Sequence, residues 1–342
     1  MGKKRFVDLL KNKGYQVKIK KLTGGFVNKV YLVTAIKGDE VFEYVVKKYK
    51  SKAEMKEMLQ GYNLISALIK TPKIVYKNES NKEVVYYFVK GISLKKLIES
   101  GHPETLAAVV KLSKALQDLH AGHKYRPKYD QGTSPDEKKL VKHAKIARNK
   151  GLVNKEFIIK LQKQIKEYIP NNKVVIHGDA HLGNFIYTED GELYIIDTDK
   201  VRISDLNSDI GRITGSIEQL EDEGKITSKR SRDIISVLKE VYEGEDSIAV
   251  DLFSMRGDLI QSKLGSRKAA TRAHRKLILL ERGIAVSIFT IFLLILSLYG
   301  LGINGLSVLE FSSPNINEVI WPVAVLLIIL VIIFIFIHNK NK

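Results

Sequence analysis

Three polar side chains in one short stretch of the chain have the types and the spacing to act together on a charged group. Asp179 follows an apolar run, and Asn184 comes five residues after it. Downstream, Asp190-Gly191 is a pair favoured in two-residue type I′ hairpin turns. In such a hairpin Asn184 and Asp197 are cross-strand partners, so we expect their Cβ atoms to lie about 5 Å apart.

This grouping has the chemistry of a site for phosphate and a hard cation. An amide oxygen that faces a carboxylate suits Mg²⁺, which prefers oxygen ligands. Phosphoryl transfer needs such ligands and also a carboxylate that takes the proton of the attacking hydroxyl. We therefore predict Asp179 as the catalytic base and Asn184 and Asp197 as the metal ligands. Turn capping would explain one Asp, but it does not explain all of these features together.

The same stretch carries motifs of a known family. HGDAHLGN at residues 177–184, followed by IIDTD at residues 195–199, resembles the protein-kinase-like superfamily, in its aminoglycoside phosphotransferase and choline kinase branch. That branch has the pattern HGD-x-x-x-x-N and then ID-x-D. The segment GNFIYTEDGELYIIDTDKVR is also similar to lipopolysaccharide core heptose kinases. The resemblance extends over about residues 15–215 and implies a kinase that uses ATP and Mg²⁺.

The resemblance also implies a nucleotide site nearer the start of the chain. LTGGFVNKVYLV looks like the Gly-rich phosphate loop of this branch, so the backbone N–H groups of Gly24 and Gly25 are expected near the phosphates. A Gly-Gly pair alone is a weak signal, because it also occurs in simple hairpin turns. Residues 86–91 match the segment between the lobes, whose backbone would hydrogen-bond adenine.

Lys47 matches the strand lysine that pairs with the α- and β-phosphates in this superfamily. Lys48 is the competing choice, but strand alternation places Val45 and Lys47 on one face and favours Lys47. The partner of Lys47 is expected on the next helix, at Glu54 or Glu57. We choose Glu57, because Glu54 stands where it can cap the start of that helix.

Two departures from the protein-kinase pattern point to an acceptor smaller than a protein. Between His120 and His177 lie 56 residues, an insertion typical of the small-molecule branch. No Ala-Pro-Glu signature follows Asp197, so the segment that docks peptides is missing. We predict a phosphotransferase whose acceptor is a hydroxyl of a small molecule, a sugar or a lipid. Asp209 resembles a structural Asp of the branch.

Three other interpretations remain open to different degrees. A kinase or ATPase similar to the quinone-biosynthesis family is disfavoured, because the Lys-x-Gly-Gln segment of that family is absent. A pseudokinase scaffold is disfavoured by the complete set of polar residues. His177, Asp179 and His181 have a spacing seen in metal sites, but the later motifs of the metallophosphoesterases are absent.

The elements that must position these residues follow from periodicity. Residues 15–49 alternate as three strands, Ser51 begins a helix, and a second hairpin is expected around Asn81. Helical patterns then dominate, including two amphipathic helices in the Lys-rich segment after Pro135. This order predicts an α+β, bilobal architecture, and the resemblance implies that it is the protein-kinase-like fold. Its parts are a nucleotide-binding lobe with a small antiparallel sheet over residues 1–90, a helical catalytic lobe over 91–245, and a basic juxtamembrane helical region over 246–282.

The end of the chain has two long uncharged runs. Residues 284–303 and 319–337 contain no charged side chain, and each run is long enough for a helix across a hydrocarbon core about 30 Å thick. We predict transmembrane helices at 283–303 and 319–338, joined by a linker at 304–318. The linker has no Lys or Arg, so the positive-inside rule predicts a multi-pass protein of the cell membrane with an external linker and both ends cytoplasmic.

The chain is strongly basic and lacks cysteine. It has 56 Lys and Arg against 38 Asp and Glu, a formal net charge of +18, which indicates an anionic partner such as nucleic acid, a phosphorylated ligand or an acidic membrane. The absence of Cys excludes disulfides and a thiol nucleophile. We predict no nucleic-acid partner, because the Lys-rich segment has almost no aromatic residues for stacking. Seven basic residues before the first run either attract anionic head groups or only set the topology: Lys263, Arg267, Lys268, Arg272, Arg275, Lys276 and Arg282.

Overall fold

The computed structural model describes residues 5–22, 28–121, 135–167, 173–242, 250–255, 258–259 and 266–281. Internal contacts divide the chain into two units, Met1–Gly283 and Ile284–Lys342, and the second unit lies outside the described residues. The predicted transmembrane helices and their linker therefore also lie outside them. Among the helices within the described ranges, none combines the length and the apolar character needed to cross a bilayer.

The small lobe is an antiparallel sheet with the strand order β1-β2-β3-β5-β4. The first three strands form the predicted meander, and β4 pairs with β5 in the predicted second hairpin. A short helix that the sequence patterns did not predict precedes them and buries Phe6 and Leu10 against the sheet. The elements are α1 (Phe6–Asn12), β1 (Gln16–Lys21), β2 (Lys29–Lys37), β3 (Glu40–Lys48), α2 (Lys52–Ile65), β4 (Ile74–Asn78) and β5 (Glu83–Tyr87).

Helix α2 begins at the predicted cap and packs on the sheet. The Ser51 hydroxyl oxygen accepts the backbone N–H of Glu54 at 3.1 Å. This bond satisfies one of the N–H groups that the first helical turn leaves without a partner. The buried side of α2 packs in a cluster that contains Tyr49, Met55, Met58 and Val84. Because Tyr49 directly follows β3, this side of α2 lies close to the end of β3, where Lys47 stands.

The large lobe is mostly helical and carries two small antiparallel sheets. One sheet pairs β7 with β10, and the other has the order β6-β8-β9. With the small lobe, this gives the predicted bilobal α+β architecture. The elements are β6 (Ile92–Ser93), α3 (Leu94–Glu99), α4 (Thr105–Ala121), α5 (Pro135–Asn149), α6 (Lys155–Glu167), β7 (Lys173–Ile176), β8 (Phe185–Tyr187), β9 (Leu193–Ile195), β10 (Arg202–Asp205), α7 (Asn207–Asp222) and α8 (Ser228–Val241).

The hairpin of β8 and β9 has a longer turn than predicted. The strand register closes a three-residue loop over residues 189–191, and Gly191 has a left-handed φ of 75°, as the last residue of such loops commonly has. Asn184 consequently lies opposite Ile196, whose N–H donates to the Asn184 carbonyl oxygen at 2.9 Å. The predicted cross-strand pairing of Asn184 with Asp197 is wrong by one residue.

Apolar side chains of the large lobe form two separate clusters. The larger one joins α3, α4, α7 and α8 to the strands that flank the catalytic motif. The second joins α5 and α6 to the helical residues 250–255 and 267–281. Helices α5 and α6 are the two amphipathic helices predicted for the Lys-rich segment, and they form most of the insertion. The insertion therefore packs against the segment that precedes the first predicted transmembrane helix in the sequence.

Candidate active site

Asp179 lies in a loop that leaves β7 and is held from behind by a buried carboxylate. Asp209, on α7, is only 1% exposed, and it accepts the N–H groups of His177 at 2.7 Å and of Gly178 at 2.9 Å. His177 is fully buried, and its Nε2 donates to the Ile196 carbonyl oxygen at 2.9 Å. Asp209 thus shapes the loop without reaching its open side, in the structural role that the resemblance implied.

Gly178 is required by the shape of this loop. Its φ of 76° is in the left-handed region, which favours glycine. A Cβ at this position would overlap the Nη1 of Arg202 and the carbonyl oxygen of Lys200. The close approach lets Arg202 donate to the Gly178 carbonyl oxygen at 3.3 Å. Steric crowding around this position therefore explains why the His-Gly-Asp motif needs glycine there.

Asn184 and Asp197, the two residues predicted to hold a cation, line the same cavity. The Nδ2 of Asn184 donates to the main-chain carbonyl oxygen of Asp179 at 2.9 Å, which leaves Oδ1 as the atom for a metal. Asp197 follows β9 with left-handed dihedrals, φ 62° and ψ 66°, and both side chains line the same cavity. An amide oxygen and a carboxylate fit Mg²⁺, which takes one or two protein oxygens together with substrate phosphates and water.

Lys47 joins the small lobe to this site. Its Nζ lies 2.7 Å from Asp197 Oδ1 and 2.7 Å from Asp199 Oδ2. Burial by itself would lower the pKa of Lys47, but the two carboxylates raise that pKa above its ordinary value. Burial likewise opposes the charge of Asp197, and the ammonium of Lys47 holds the pKa of Asp197 below its ordinary value. Lys48 instead contacts Glu83, at 3.8 Å, which agrees with the choice of Lys47.

The predicted ion pair of Lys47 with Glu57 is not formed among the described residues. Glu57 is exposed on α2, while the contacts of Lys47 go to two aspartates. Glu57 stands two residues after the buried Met55, about 200° around the helix, so the packing of α2 turns it away from the sheet. Glu54, the alternative, accepts the N–H of Lys50 at 3.2 Å and has the capping role that we expected.

Asp199 is a further candidate that was not among the predicted site residues. Besides its ion pair with Lys47, Asp199 accepts hydrogen bonds from the Nδ2 of Asn28 at 3.0 Å and from the hydroxyl of Tyr49 at 3.2 Å. These contacts hold the ammonium of Lys47 between two carboxylates, the function that we had expected of a glutamate on α2. The signal for it in the sequence is the second Asp of the Ile-Asp-x-Asp pattern.

A cavity of about 430 Å³ opens at this group of charges. Residues 86–89 of the predicted segment between the lobes line it, together with apolar side chains of the sheet. An apolar wall suits the flat face of a nucleobase, and the polar end suits phosphates. Gly24 and Gly25, predicted near the phosphates, lie outside the described residues. The lining includes Leu22, Val30, Val45, Lys47, Tyr86, Val89, Asn184, Ile186, Ile196 and Asp197.

The alternative metal site at His177 and His181 gains no support from the side-chain geometry. In the part of the chain that the structure describes, no group of three His, Asp or Glu residues converges in the manner of a metal site. The Nδ1 of His181 accepts the N–H of Gly183 at 3.1 Å. Burial lowers the pKa of His181 below its ordinary value. Both features favour the neutral ring with its proton on Nε2.

The fold and the arrangement of Lys47, Asp179, Asn184 and Asp197 define a class, the protein-kinase-like phosphotransferases. The model of the APH family, described as the phosphotransferase enzyme family, matches residues 18–224, which is more than half of the chain. The chain belongs to this family. It is a phosphotransferase whose acceptor is an alcohol group.

Solved structures with this fold include several small-molecule kinases. Choline kinase LicA from Streptococcus pneumoniae is 17% identical, with a TM-score of 0.54 over 82% of this chain and 99% of that chain. A choline kinase from Cryptosporidium parvum is 14% identical, with a TM-score of 0.52 over 80% and 90%. Macrolide 2′-phosphotransferase type I is 14% identical, with a TM-score of 0.51 over 79% and 94%. A comparison with curated proteins found none that matches this chain.

Proposed function

We propose that this chain is a membrane-anchored kinase that transfers the γ-phosphoryl group of ATP to a hydroxyl of a small molecule, a sugar or a lipid-linked acceptor. The observation that carries the proposal is the contact of Lys47 with Asp197 and Asp199 at the polar end of the cavity, beside Asn184 and its bond to Asp179. A solved structure of LicA contains AMP, which supports a nucleotide in the same cavity here.

Each residue has one role in the transfer. Lys47 binds the α- and β-phosphates. Asn184 and Asp197 would hold Mg²⁺, which would neutralise charge on the phosphates. The hydroxyl oxygen of the acceptor forms a bond to the γ-phosphorus as the bond from that phosphorus to the bridging oxygen breaks, and ADP leaves. Asp179 orients the hydroxyl, takes its proton and later releases that proton to solvent.

The membrane anchor in this proposal rests on the two uncharged runs, at 284–303 and 319–337. An enzyme held at a bilayer meets an acceptor in the same surface layer at a raised effective concentration. A freely diffusing acceptor gains nothing from such an anchor. The acceptor is therefore membrane-associated, and the kinase domain works on the cytoplasmic side.

The test is phosphate transfer from γ-labelled ATP with Mg²⁺ by the full-length protein in liposomes of extracted lipid. We expect labelled lipid, and we expect Asp179→Asn to lower turnover by about 10² or more with little change in ATP affinity, because Asp179 contacts the acceptor. Asp197→Asn should instead weaken Mg²⁺-ATP binding. Asp233→Asn, which changes a half-exposed carboxylate on α8, is the control that should retain activity.

The outcomes separate the parts of the proposal. Near-normal turnover by Asp179→Asn would contradict the mechanism. Label confined to soluble sugars or amines, with none on lipid, would contradict the membrane-associated acceptor and leave the kinase assignment intact. A protein that binds Mg²⁺-ATP but turns over no acceptor would favour the pseudokinase.

A further inference from the structure

Aliphatic side chains are exposed on two helices of the second apolar cluster. Ile159, on α6, is 56% exposed, and it is the one apolar residue among the α6 positions that the structure describes as exposed. Ile278 and Leu279, on the helix over residues 267–281, are 43% and 59% exposed. Single exposed apolar side chains are common on protein surfaces and need no explanation. A group of them on one surface, however, indicates an interaction site.

The packing of the two helices places these three side chains at the same level. The ring centroids of Phe157 and His274 are 4.7 Å apart, and the Nζ of Lys160 lies 3.2 Å from Glu281 Oε2. Along both helices, the three aliphatic residues fall between these two contacts. They therefore lie on adjoining turns of two packed helices that are far apart in the sequence. We call these side chains the apolar patch: Ile159, Ile278 and Leu279.

Basic side chains continue the exposed face of the helix over residues 267–281. At about 100° per residue, its exposed positions fall within a sector of about 120°. The three cations of this sector precede the apolar end, and none of them forms an ion pair with the residues that the structure describes. The carboxylate at the apolar end, Glu281, is paired with Lys160. The exposed positions are Arg267, Lys268, Thr271, Arg275, Ile278 and Leu279.

We propose that this face docks on a bilayer that contains anionic lipid, with the apolar patch between the head groups and the acyl chains and the three cations over the head groups. Such interfacial helices bury their apolar side about 5–10 Å deep and are attracted to anionic lipid by their basic residues. This inference rests on the membrane anchor of the proposed function. It adds a second contact with the bilayer, made by the kinase domain itself and by α6 of its insertion.

The position and the charge of this face favour a bilayer over a protein partner. Glu281 lies three residues before the uncharged run at 284–303 in the sequence, so the apolar patch is close to the point where the anchor begins. A second copy of the chain docked on the same face would bring like charges together, which disfavours self-association. The docked face holds the kinase domain in one orientation, whereas the uncharged runs alone only keep the domain near the membrane.

A single reporter on α6 tests the contact, because the chain has no native cysteine. Full-length Ile159→Cys carries an environment-sensitive NBD label in vesicles of phosphatidylcholine and phosphatidylglycerol, with and without a nitroxide quencher on the acyl chains. We expect blue-shifted emission and quenching by the nitroxide lipid. Leu106→Cys, at a position 46% exposed on α4 of the other cluster, is the matched control and should show neither. A label at residue 159 that remains as polar and as unquenched as the control would contradict the proposal.

Neutralisation of the cations tests the preference for anionic lipid. Arg267→Gln, Lys268→Gln and Arg275→Gln are combined in the labelled Ile159→Cys protein. Each cation changes such an equilibrium about fivefold at an anionic surface, so the ratio of docked to undocked protein should fall about tenfold or more. In vesicles of phosphatidylcholine alone the same variant should match its parent. Unchanged quenching in the anionic vesicles would overturn the assignment of this face to anionic lipid. The control removes three exposed lysines elsewhere and should retain the quenching: Lys111→Gln, Lys114→Gln and Lys225→Gln.

The same samples separate docking from its alternatives and from the anchor. A label that responds to the protein-to-lipid ratio but not to the nitroxide lipid would identify a second copy of the chain as the partner and contradict docking. Resistance to carbonate extraction without quenching at residue 159 would contradict docking and leave the anchor intact. Protein that carbonate releases, but whose label is quenched beforehand, would contradict the anchor and support docking. Phosphate transfer on these vesicles reports the kinase function and the folding of each labelled variant independently.

Discussion

Lys47 and Asp197 stand in contact, and each keeps the other charged. The pKa of Lys47 is raised and that of Asp197 is lowered, in both cases against the effect of burial. At neutral pH the site therefore has an ammonium for phosphate and a carboxylate for a cation in a single protonation state. Asp199 contributes to this arrangement, because it is the second carboxylate on Lys47.

Gly178 allows a direct test of the shape of the catalytic loop. We expect Gly178→Ala to lower the free energy of unfolding by about 3 kcal/mol or more, because left-handed strain adds to the overlap with Arg202 and Lys200. Urea unfolding in detergent, followed by circular dichroism, measures this loss. Gly224→Ala is the matched control, with φ of 68° and open space around it, and should cost about 1 kcal/mol. Equal losses of unfolding free energy in the two variants would show that Arg202 and Lys200 move away from the added Cβ without cost.

The hairpin of β8 and β9 shows how turn length decides which side chains meet. With a three-residue loop, Ile196 takes the place opposite Asn184, and Asp197 falls just beyond the paired strands. There it adopts a left-handed conformation that a strand position would not permit. The carboxylate turns to Lys47 of the other lobe and still lines the cavity with Asn184.

Helix α7 links the catalytic loop to the helix over residues 267–281. Its first turns carry Asp209 and Arg212, which contact the loop. Its last turns meet the basic side chains of the other helix, with Asp258 at the centre of the contact and 1% exposed. The ion pairs are Asp222 with Arg272 at 2.6 Å, Asp258 with Arg272 at 2.6 Å, Asp258 with Lys276 at 3.1 Å, and Glu218 with Lys276.

Removal of one carboxylate from this buried network should destabilise the fold far more than the loss of a surface pair does. We expect Asp258→Asn to lower the free energy of unfolding by about 3 kcal/mol, because it removes the buried carboxylate that Arg272 and Lys276 share and leaves each cation with one carboxylate partner. The control is Asp233→Asn, which breaks an exposed pair with Lys229 at 2.9 Å on α8 and should cost about 0.5 kcal/mol or less. Urea titrations of both variants provide the comparison. Similar losses of unfolding free energy in the two variants would mean that water reaches the charges around Asp258 and screens them.

At the scale of the whole molecule, part of the positive charge is internal. Arg272 and Lys276 are among the seven basic residues expected either to attract anionic head groups or only to set the topology, but both are paired with carboxylates of the large lobe. Arg267, Lys268 and Arg275 are exposed on the same helix. These three are the described residues of that group whose side chains are exposed.

The proposed topology predicts which parts of the chain are accessible outside the cell. Tags at Met1 and at Lys342 should both be protected from protease added to intact cells, because the basic residues keep both ends on the cytoplasmic side. A tag inserted in the linker at 304–318 should be cleaved. Immunoblots of intact and permeabilised cells measure the difference. Cleavage of either terminal tag in intact cells would overturn the topology.

The sequence by itself determined the order of the strands and of α2 in the small lobe and the positions of the main motif. The meander, the Ser51 cap of α2, and the loop that carries Asp179 and Asn184 are encoded in neighbouring residues, since strand alternation, helix caps and motif spacing are local properties. Lys47 was also chosen from the alternation of a single strand. Local patterns are sufficient for such features, because they need no knowledge of what packs against them.

Only the tertiary structure decided which distant groups meet. The carboxylates that contact Lys47 are those of Asp197 and Asp199, while the packing of α2 through its methionines turns Glu57 to solvent. One extra residue in a turn changed the neighbour of Asn184, and the packing of α7 against the catalytic loop brought Arg212 to Asp179. Such contacts depend on the packing angle and register of segments far apart in the chain, which residue spacing does not specify.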